Sequence, residues 1–331
     1  RPGGGDPSRR FPGLFASLNR NKRSVTLDLK SEIGHAEFLR LVDTADVVVE
    51  GYRPGVMARL NIGAEALRAR KPSLVFVSIS SFGQNGPSAG VAGHDLSIQG
   101  AAGMVDVPVG HEADFALPVL PLADISSAMF AALGIVTSLF ARSKTGVGAN
   151  IDVSMLDSLV SWMTPFLVPP MNGLPTRALP PEDPGYGLFA TADGRQITLS
   201  IAGEDRMWST LCNLLALDQF AALNEHERSE RRTEITPHLR LAIGGWKHEP
   251  LCQRLEVERI AFGPVLKLHE VLADPQLVSR SMAVDIETPA GTLHVVRQPL
   301  ILDGKIERIV QGVPKLGEHN AEILSALARS N

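Results

Sequence analysis

The sequence predicts an α/β protein in which a larger part built on an open, mostly parallel sheet is followed by a smaller α+β part. Three observations carry this. Between residues 22 and 80 the chain alternates strand, helix, strand, helix, strand, which is the rhythm of βαβ units. A long apolar helix then leads into a further strand at 149–153. Beyond a proline-rich run at 165–184, two alternating stretches around an Asp-Gly pair announce a hairpin.

Taken in order, residues 25–29 alternate and are β-rich, so a strand is expected there, and Ser31 opens a helix to about Val42. ADVVVE (45–50) and residues 73–79 read as buried parallel strands, with short helical pieces between them through Arg70. The loop SSFGQNGPSAG (80–90) follows a strand's carboxyl end, where α/β folds place ligands. Gly93-His94-Asp95 leads into a helix with small residues at 99–103. The helix expected from about Ser126 to Arg142 carries Met129, Phe130, Leu133, Val136 and Phe140 on one side, and ends at KTGVG. A strand at 149–153 and a helix at 155–163 follow. The hairpin spans 186–201, turning at Asp193-Gly194. Helices are expected at about 205–217, 236–243 and 249–255, strands at 283–287 and 292–296 joined across 289–291, and a last helix at 318–328. The corresponding division is 1–164, a linker 165–184, a small domain 185–297, and a segment 298–331 returning to the first domain.

With 331 residues, 44% of them apolar, the chain can bury a sizeable core. Its net charge of −4 comes from interspersed residues and gives no field suited to nucleic acid or an anionic membrane surface. Apolar stretches such as 128–141 read as too short to span a bilayer. Cys212 and Cys252 lie in apolar periodic segments, which predicts core filling and fits a reducing cytoplasm; no zinc spacing is present. The opening RPGGGDPSRR reads as an exposed loop rather than a natural N-terminus.

One stretch concentrates the chemical interest. PLADISSAM (121–129) sets Asp124 between an extended approach and the first turn of the long helix. Free N–H groups and the positive dipole end stabilise an anion there, so Asp124 is expected to be ionised, as a cap or as a reactive group. Arg20, Lys22, Arg23 and Lys30, then Arg53 and Arg59, suit a phosphorylated ligand or a solvated basic face. His94 beside Asp95 reads as a proton-transfer group with an orienting partner, or as a helix-start pair. Glu204-Asp205 begins a helix, where capping is the default. GxGxxG, Walker, GxSxG and HExxH patterns are absent. These residues alone do not define a reaction.

Five stretches together carry a resemblance: LNRNKRSVTLDLK (18–30), ADVVVEGYRPG (45–55), the Asp124 segment through KTGVGANIDVSM (144–155), FGPVLKLHEVLADPQL (262–277) and LGEH (316–319). In this order they resemble the family III CoA-transferases, the CaiB/BaiF group that includes formyl-CoA and carnitine CoA-transferases and also α-methylacyl-CoA racemase. The resemblance implies a Rossmann-like large domain, a small domain, an interlocked homodimer, and a strand-helix-strand ahead of the loop where this sequence opens. It implies an acyl-CoA and a small carboxylic acid as substrates, with no permanently bound cofactor, no metal, no nucleic acid and no membrane partner. The Asp at position 124 would attack the thioester carbonyl and pass through a mixed anhydride to an aspartyl-CoA thioester. CoA contacts carry over to Leu27, Asp28, Leu29 and Lys30, to Gly51, Tyr52 and Arg53, to Arg59, and to Ala92, Gly93 and His94.

Two departures refine this expectation. The formyl-CoA transferases carry Asn where Gly51 stands and a glycine-rich loop where this chain is proline-rich, so formate and oxalate are not the expected acids. Gly93-His94-Asp95 resembles the racemase pattern, in which His94 and Asp124 would move protons on opposite faces of the α-carbon and Glu204 would support His94. Ile-Ser-Ser after Asp124 departs from the racemase's glycine-rich turn. CoA transfer is therefore the favoured reading, racemisation the alternative, and an inactive CoA-binding fragment the third.

Overall fold

The computed structural model of the chain describes residues 5–106, 120–174, 183–288, 291–306 and 309–329. It divides into two compact units, Arg1–Gly173 with Met282–Asn331, and Leu174–Ser281.

The first unit is built on a parallel sheet in the order β1-β2-β3, formed by β1 (Val47–Glu50), β2 (Val75–Ser80) and β3 (Asn150–Ser154), with Val47 beside Val75 and Phe76 beside Asn150. Helices α1 (Pro12–Asn19) and α2 (Glu32–Thr44) precede β1, and α3 (Val56–Arg59) and α4 (Ala64–Arg70) join β1 to β2. Ser31 caps α2 by accepting from the Gly34 N–H at 3.0 Å, so the helix starts where its sequence signal stands. Gly34 has a further reason to be glycine: a Cβ there would meet the Asp28 carbonyl oxygen at 2.2 Å.

Between β2 and β3 come α5 (Asp95–Ala101) and α6 (Leu122–Thr145). One face of the sheet packs Val75, Val77 and Val153 against Ala131, Ile135 and Leu139 of α6. The other packs Phe76 against Val42, Met57, Ile62 and Leu67 of α2 to α4. Helices thus cover both faces, as a buried parallel sheet requires.

Helix α6 differs from its expectation in two ways. It is longer at both ends, and with 24 residues and a mean hydropathy of 1.6 over its most apolar 18-residue stretch it is long and apolar enough to cross a membrane by length and composition. Reading only 128–141 hid this, because Ser126, Ser127 and Thr137 interrupt the run without ending the helix. Secondly, the side bearing Met129, Leu133, Val136 and Phe140 does not meet the sheet and is exposed in the protomer. A helix apolar all round leaves its periodicity ambiguous about which face is buried.

The strand expected at 25–29 does not form. Its backbone finds partners beside the C-terminal helix instead: Ser24 N–H donates to His319 Nδ1 at 3.1 Å, and Thr26 N–H to Asn320 Oδ1 at 2.9 Å. β-propensity yields here to a tertiary partner nearly three hundred residues away. The helices α7 (Met155–Trp162) and α8 (Thr164–Met171) follow β3. The proline-rich run therefore starts as helix, with Pro165 in the first turn where its missing N–H is harmless, and residues 175–182 lie outside the described ones.

The second unit opens with the hairpin β4 (Tyr186–Ala190) and β5 (Gln196–Ser200), joined by β6 (Phe262–Pro264) in an antiparallel sheet. Gly194 takes φ 77° in the turn, where the Asp-Gly signal predicted it. Helices α9 (Asp205–Leu214), α10 (Glu225–Glu230), α11 (Arg232–Gly244) and α12 (His248–Val257) build its core around Trp208, Leu211, Leu239 and Leu251, and α13 (Leu268–Val271) and α14 (Pro275–Ser279) complete it. Cys212 is fully buried in that core, where burial pushes its thiol up to about 12, and Cys252 packs at its edge; both are free.

The hairpin β7 (Ala283–Thr288) and β8 (Gly291–Val296) falls in the first unit, where Ile286 and Val295 pack on Ala16 of α1; the sequence reading had placed it with the smaller part. The turn at 289–290 lies outside the described residues. A short pair, β9 (Ile301–Leu302) and β10 (Lys305–Ile306), and helix α15 (Asn320–Arg329) end the chain.

Candidate active site

The orientation of α6 sets the site. Near its C-terminus Arg142 bonds the Ser73 carbonyl at 3.0 Å and the Asp46 carboxylate at 2.8 Å, groups that lie just before β2 and β1. The end of α6 is thereby tied to the amino edge of the sheet, and its start reaches the carboxyl edge. That is the edge on which open α/β sheets gather ligand groups.

Asp124 is the third residue of α6, in the first turn rather than at the cap, and it is exposed. The cap position is Pro121, whose side chain makes no capping bond. Another carboxylate does that work. Asp95 Oδ1 accepts from the Ala123 N–H at 2.8 Å and from the Asp124 N–H at 3.2 Å. Beneath this junction Ile98, Ala102, Ala123, Met155 and Leu159 form a small core shared by α5, α6 and α7.

This arrangement corrects two expectations. The helix end was expected to favour ionised Asp124, yet its carboxyl is raised above the ordinary range: crowding by the surrounding protein is the largest cause, Asp95 adds to it, and His94 opposes. The physical reason is that surrounding protein withdraws water from the carboxyl, and Asp95, which accepts from the N–H groups that begin α6, sets a like charge beside it. Nor does Asp95 orient His94. Both of its oxygens are engaged elsewhere, the second by Gln99 Nε2 at 2.5 Å. His94 is exposed at the start of α5.

The other sequence candidates of the first unit lie on loops at or near the strand ends. Gly51, Tyr52 and Arg53 follow β1 directly and are exposed, with the Tyr52 N–H held by Glu50 Oε2 at 2.7 Å. Arg59 is exposed, and among the described residues neither Arg53, Arg59 nor Lys30 forms a salt bridge. Leu27, Asp28, Leu29 and Lys30 make a turn before α2, where Asp28 Oδ1 accepts from the Lys30 N–H at 3.0 Å and its carbonyl from the Ser31 N–H at 3.0 Å. Ala92 is exposed and Gly93 is pinned through its carbonyl by the Ser81 hydroxyl at 3.0 Å. A Cβ on Gly93 would crowd Ser81 at 3.1 Å, which explains the glycine. Of the other basic residues, Arg23 is paired with Glu322 at 2.8 Å, and Lys22 donates to Asn19 Oδ1 at 3.2 Å.

Glu204 lies in the second unit, exposed, with Oε2 accepting from the Ala202 N–H at 2.7 Å instead of capping α9. Asp95's role at α6 and Gln99 were missed in the sequence, since nothing in residues 95–99 announces a bond to a helix that starts at Leu122. Among the described residues no cluster of His, Cys, Asp or Glu is fit to hold a metal.

Residues 1–320 match the model of CoA-transferase family III. A succinate–glutarate CoA-transferase from Agrobacterium fabrum is 31% identical over 325 residues, covering 95% of this chain and 80% of its own. A succinyl-CoA:mesaconate CoA-transferase from Haloarcula hispanica is 31% identical over 330 residues, covering 95% and 82%. Among solved structures, a hypothetical protein from Mycobacterium tuberculosis matches with a TM-score of 0.86 at 28% identity, covering 97% of this chain and 88% of its own. A CaiB/BaiF family protein from Brucella suis matches with a TM-score of 0.80 at 29% identity, covering 95% and 83%. With a family model spanning nearly the whole chain and relatives named for CoA transfer, this protein belongs to CoA-transferase family III.

Proposed function

We propose that this CoA-transferase works through a covalent intermediate on Asp124. The ionised carboxylate attacks the acyl-CoA carbonyl carbon, the C–S bond breaks, and CoA thiolate leaves a mixed anhydride. The thiolate then attacks the aspartyl carbonyl, releasing the donor acid and leaving an aspartyl-CoA thioester. An incoming carboxylate repeats the two steps in reverse, forming the new acyl-CoA and freeing Asp124. Water is a competitor at each stage, and covalent steps conserve the thioester.

The observation that carries the reading is the state of Asp124: an exposed carboxyl at the sheet's ligand edge, with no salt bridge among the described residues and a raised proton affinity. A more basic anion is the better nucleophile once ionised. Leu27, Asp28, Leu29, Lys30, Gly51, Tyr52, Arg53, Arg59, Ala92 and Gly93 would hold CoA, with the free cations of Arg53, Arg59 and Lys30 suited to its phosphates. The relatives named above act on dicarboxylates, so succinyl-CoA with glutarate or mesaconate is the first pair to try. The test is to trap the enzyme with hydroxylamine or borohydride in the presence of succinyl-CoA and locate the modification by mass spectrometry. A label on Asp124 supports the mechanism; an Asp124→Ala variant that still exchanges CoA sinks it.

One observation favours a second reading. His94 lies close enough to Asp124 to act on its charge, as an acid/base pair for racemisation at the α-carbon requires. Deuterium entering a 2-methylacyl-CoA in heavy water without an acceptor acid would select it.

The exposed apolar side of α6 supports an interlocked homodimer. A bilayer is the poorer occupant, since the opposite side of α6 is docked on a sheet whose backbone edges have no place in lipid. The two free cysteines accord with a reducing cytoplasm.

A further inference from the structure

The start of α6 is held from outside its own segment. Pro121 offers no capping side chain, and the Ala123 and Asp124 N–H groups both point at Asp95 Oδ1. Asp95 is itself braced. Gln99, fully buried one turn along α5, donates through Nε2 to Asp95 Oδ2 at 2.5 Å and to the Leu120 carbonyl at 3.0 Å. One amide thus ties the cap and the chain entering α6 to the same point. That orientation leaves Gln99 Oε1 buried without a partner, while the reverse orientation would set it against the Leu120 carbonyl oxygen. Buried amide groups are normally satisfied, so the fold tolerates a cost to keep this brace.

We propose that Asp95, braced by Gln99, is a positioning residue for CoA transfer: it fixes the first turn of α6 and leaves Asp124 as the carboxylate free to react. This rests on Asp124 being the nucleophile. Geometry is the first contribution, because the backbone that carries Asp124 is anchored at its own N–H. Charge is the second. The titratable groups that act on Asp124 are Asp95, which raises its proton affinity, and His94, which opposes. Asp95 also withholds the helix-end N–H groups that would make Asp124 a weaker base.

Three variants test this with succinyl-CoA and glutarate across pH. Asp95→Ala removes the cap and should lower kcat about 100-fold, with KM for succinyl-CoA little changed, as expected for a misplaced reacting group. Asp95→Asn keeps an oxygen for both N–H groups and removes the charge. Its Nδ2 would face the Gln99 Nε2 donor, so the brace is lost as well; kcat should recover only to about the level of Gln99→Leu, above that of the Ala variant, and the acid limb of the pH profile should move to lower pH. Gln99→Leu removes only the brace and should lower kcat by roughly 10-fold. An Asp95→Ala variant with wild-type kcat, an Asn variant no better than Ala, or an unmoved acid limb in the Asn variant each overturns the proposal. Should Asp95→Ala fail to fold, the acid limb of Asp95→Asn and the kcat of Gln99→Leu decide it. Activity retained by Asp124→Ala would instead overturn the nucleophile reading.

Discussion

In the first unit Asp95 and Asp124 lie side by side at the start of α6, and among the described residues neither forms a salt bridge. In the second unit Asp183 and Asp205 grip one fully buried guanidinium. Arg228 donates through Nε at 3.0 Å and Nη2 at 2.9 Å to Asp183 Oδ2, and through Nη1 at 2.6 Å to Asp205, while its plane sits 5.2 Å from the Trp208 ring. Asp183 also accepts from the Gly185 N–H at 2.7 Å. One cluster pairs a buried guanidinium with a buried carboxylate, Asp183, and with an outer one, Asp205, that reaches water. The other sets acid beside acid in the open. Paired charge at the cost of desolvation orders a core; like charge at an exposed helix start raises the proton affinity of the carboxyl beside it. Two carboxylate clusters in one chain therefore read differently because of what faces them.

The comparison can be broken from either side. The largest effect is expected for Asp124→Ala, which should lower CoA transfer at least about 10,000-fold, as loss of a covalent nucleophile does, without lowering the melting temperature. Next is Arg228→Met, which strands Asp183 and should cost about 3–5 kcal/mol of stability by denaturant titration. Pairing it with Asp183→Leu should recover much of that loss. For the proposed homodimer, Leu133→Glu with Phe140→Glu should weaken association about 100-fold or more in sedimentation, since both side chains stand on the exposed apolar side of α6. A smaller effect is expected for Arg59→Ala, a rise in KM for acyl-CoA of about 10-fold with kcat retained, as loss of one charge-assisted phosphate contact predicts. Smallest is a gain for Asp124→Asn. The folded state holds the Asp124 proton more tightly than the unfolded chain does, so ionisation destabilises the fold as pH rises past the ordinary carboxylate value. The variant should melt slightly higher at neutral pH, and the advantage should vanish in acid.

Much of the fold could be read locally. Ser31 marks the start of α2, Asp193-Gly194 marks the β4-β5 turn, and the Val-rich runs mark β1 and β2 within a residue or two. The strand expected at 25–29 failed because its partners, His319 and Asn320, lie at the far end of the chain. Asp124 was legible as a candidate from its place before a long helix. Its cap was not, because the capping residue usually stands at the helix's own threshold and here that place is Pro121.

By itself the sequence determined the α/β class, the family through its ordered motifs, and Asp124 as the carboxylate to watch, since each depends on residues near one another in the chain. The tertiary structure decided which side of α6 meets the sheet, a choice periodicity leaves open when a helix is apolar all round. It also decided the proton affinity of Asp124. That is raised first by burial among the surrounding residues and then by Asp95, which lies 29 residues earlier and is brought beside it only by the fold.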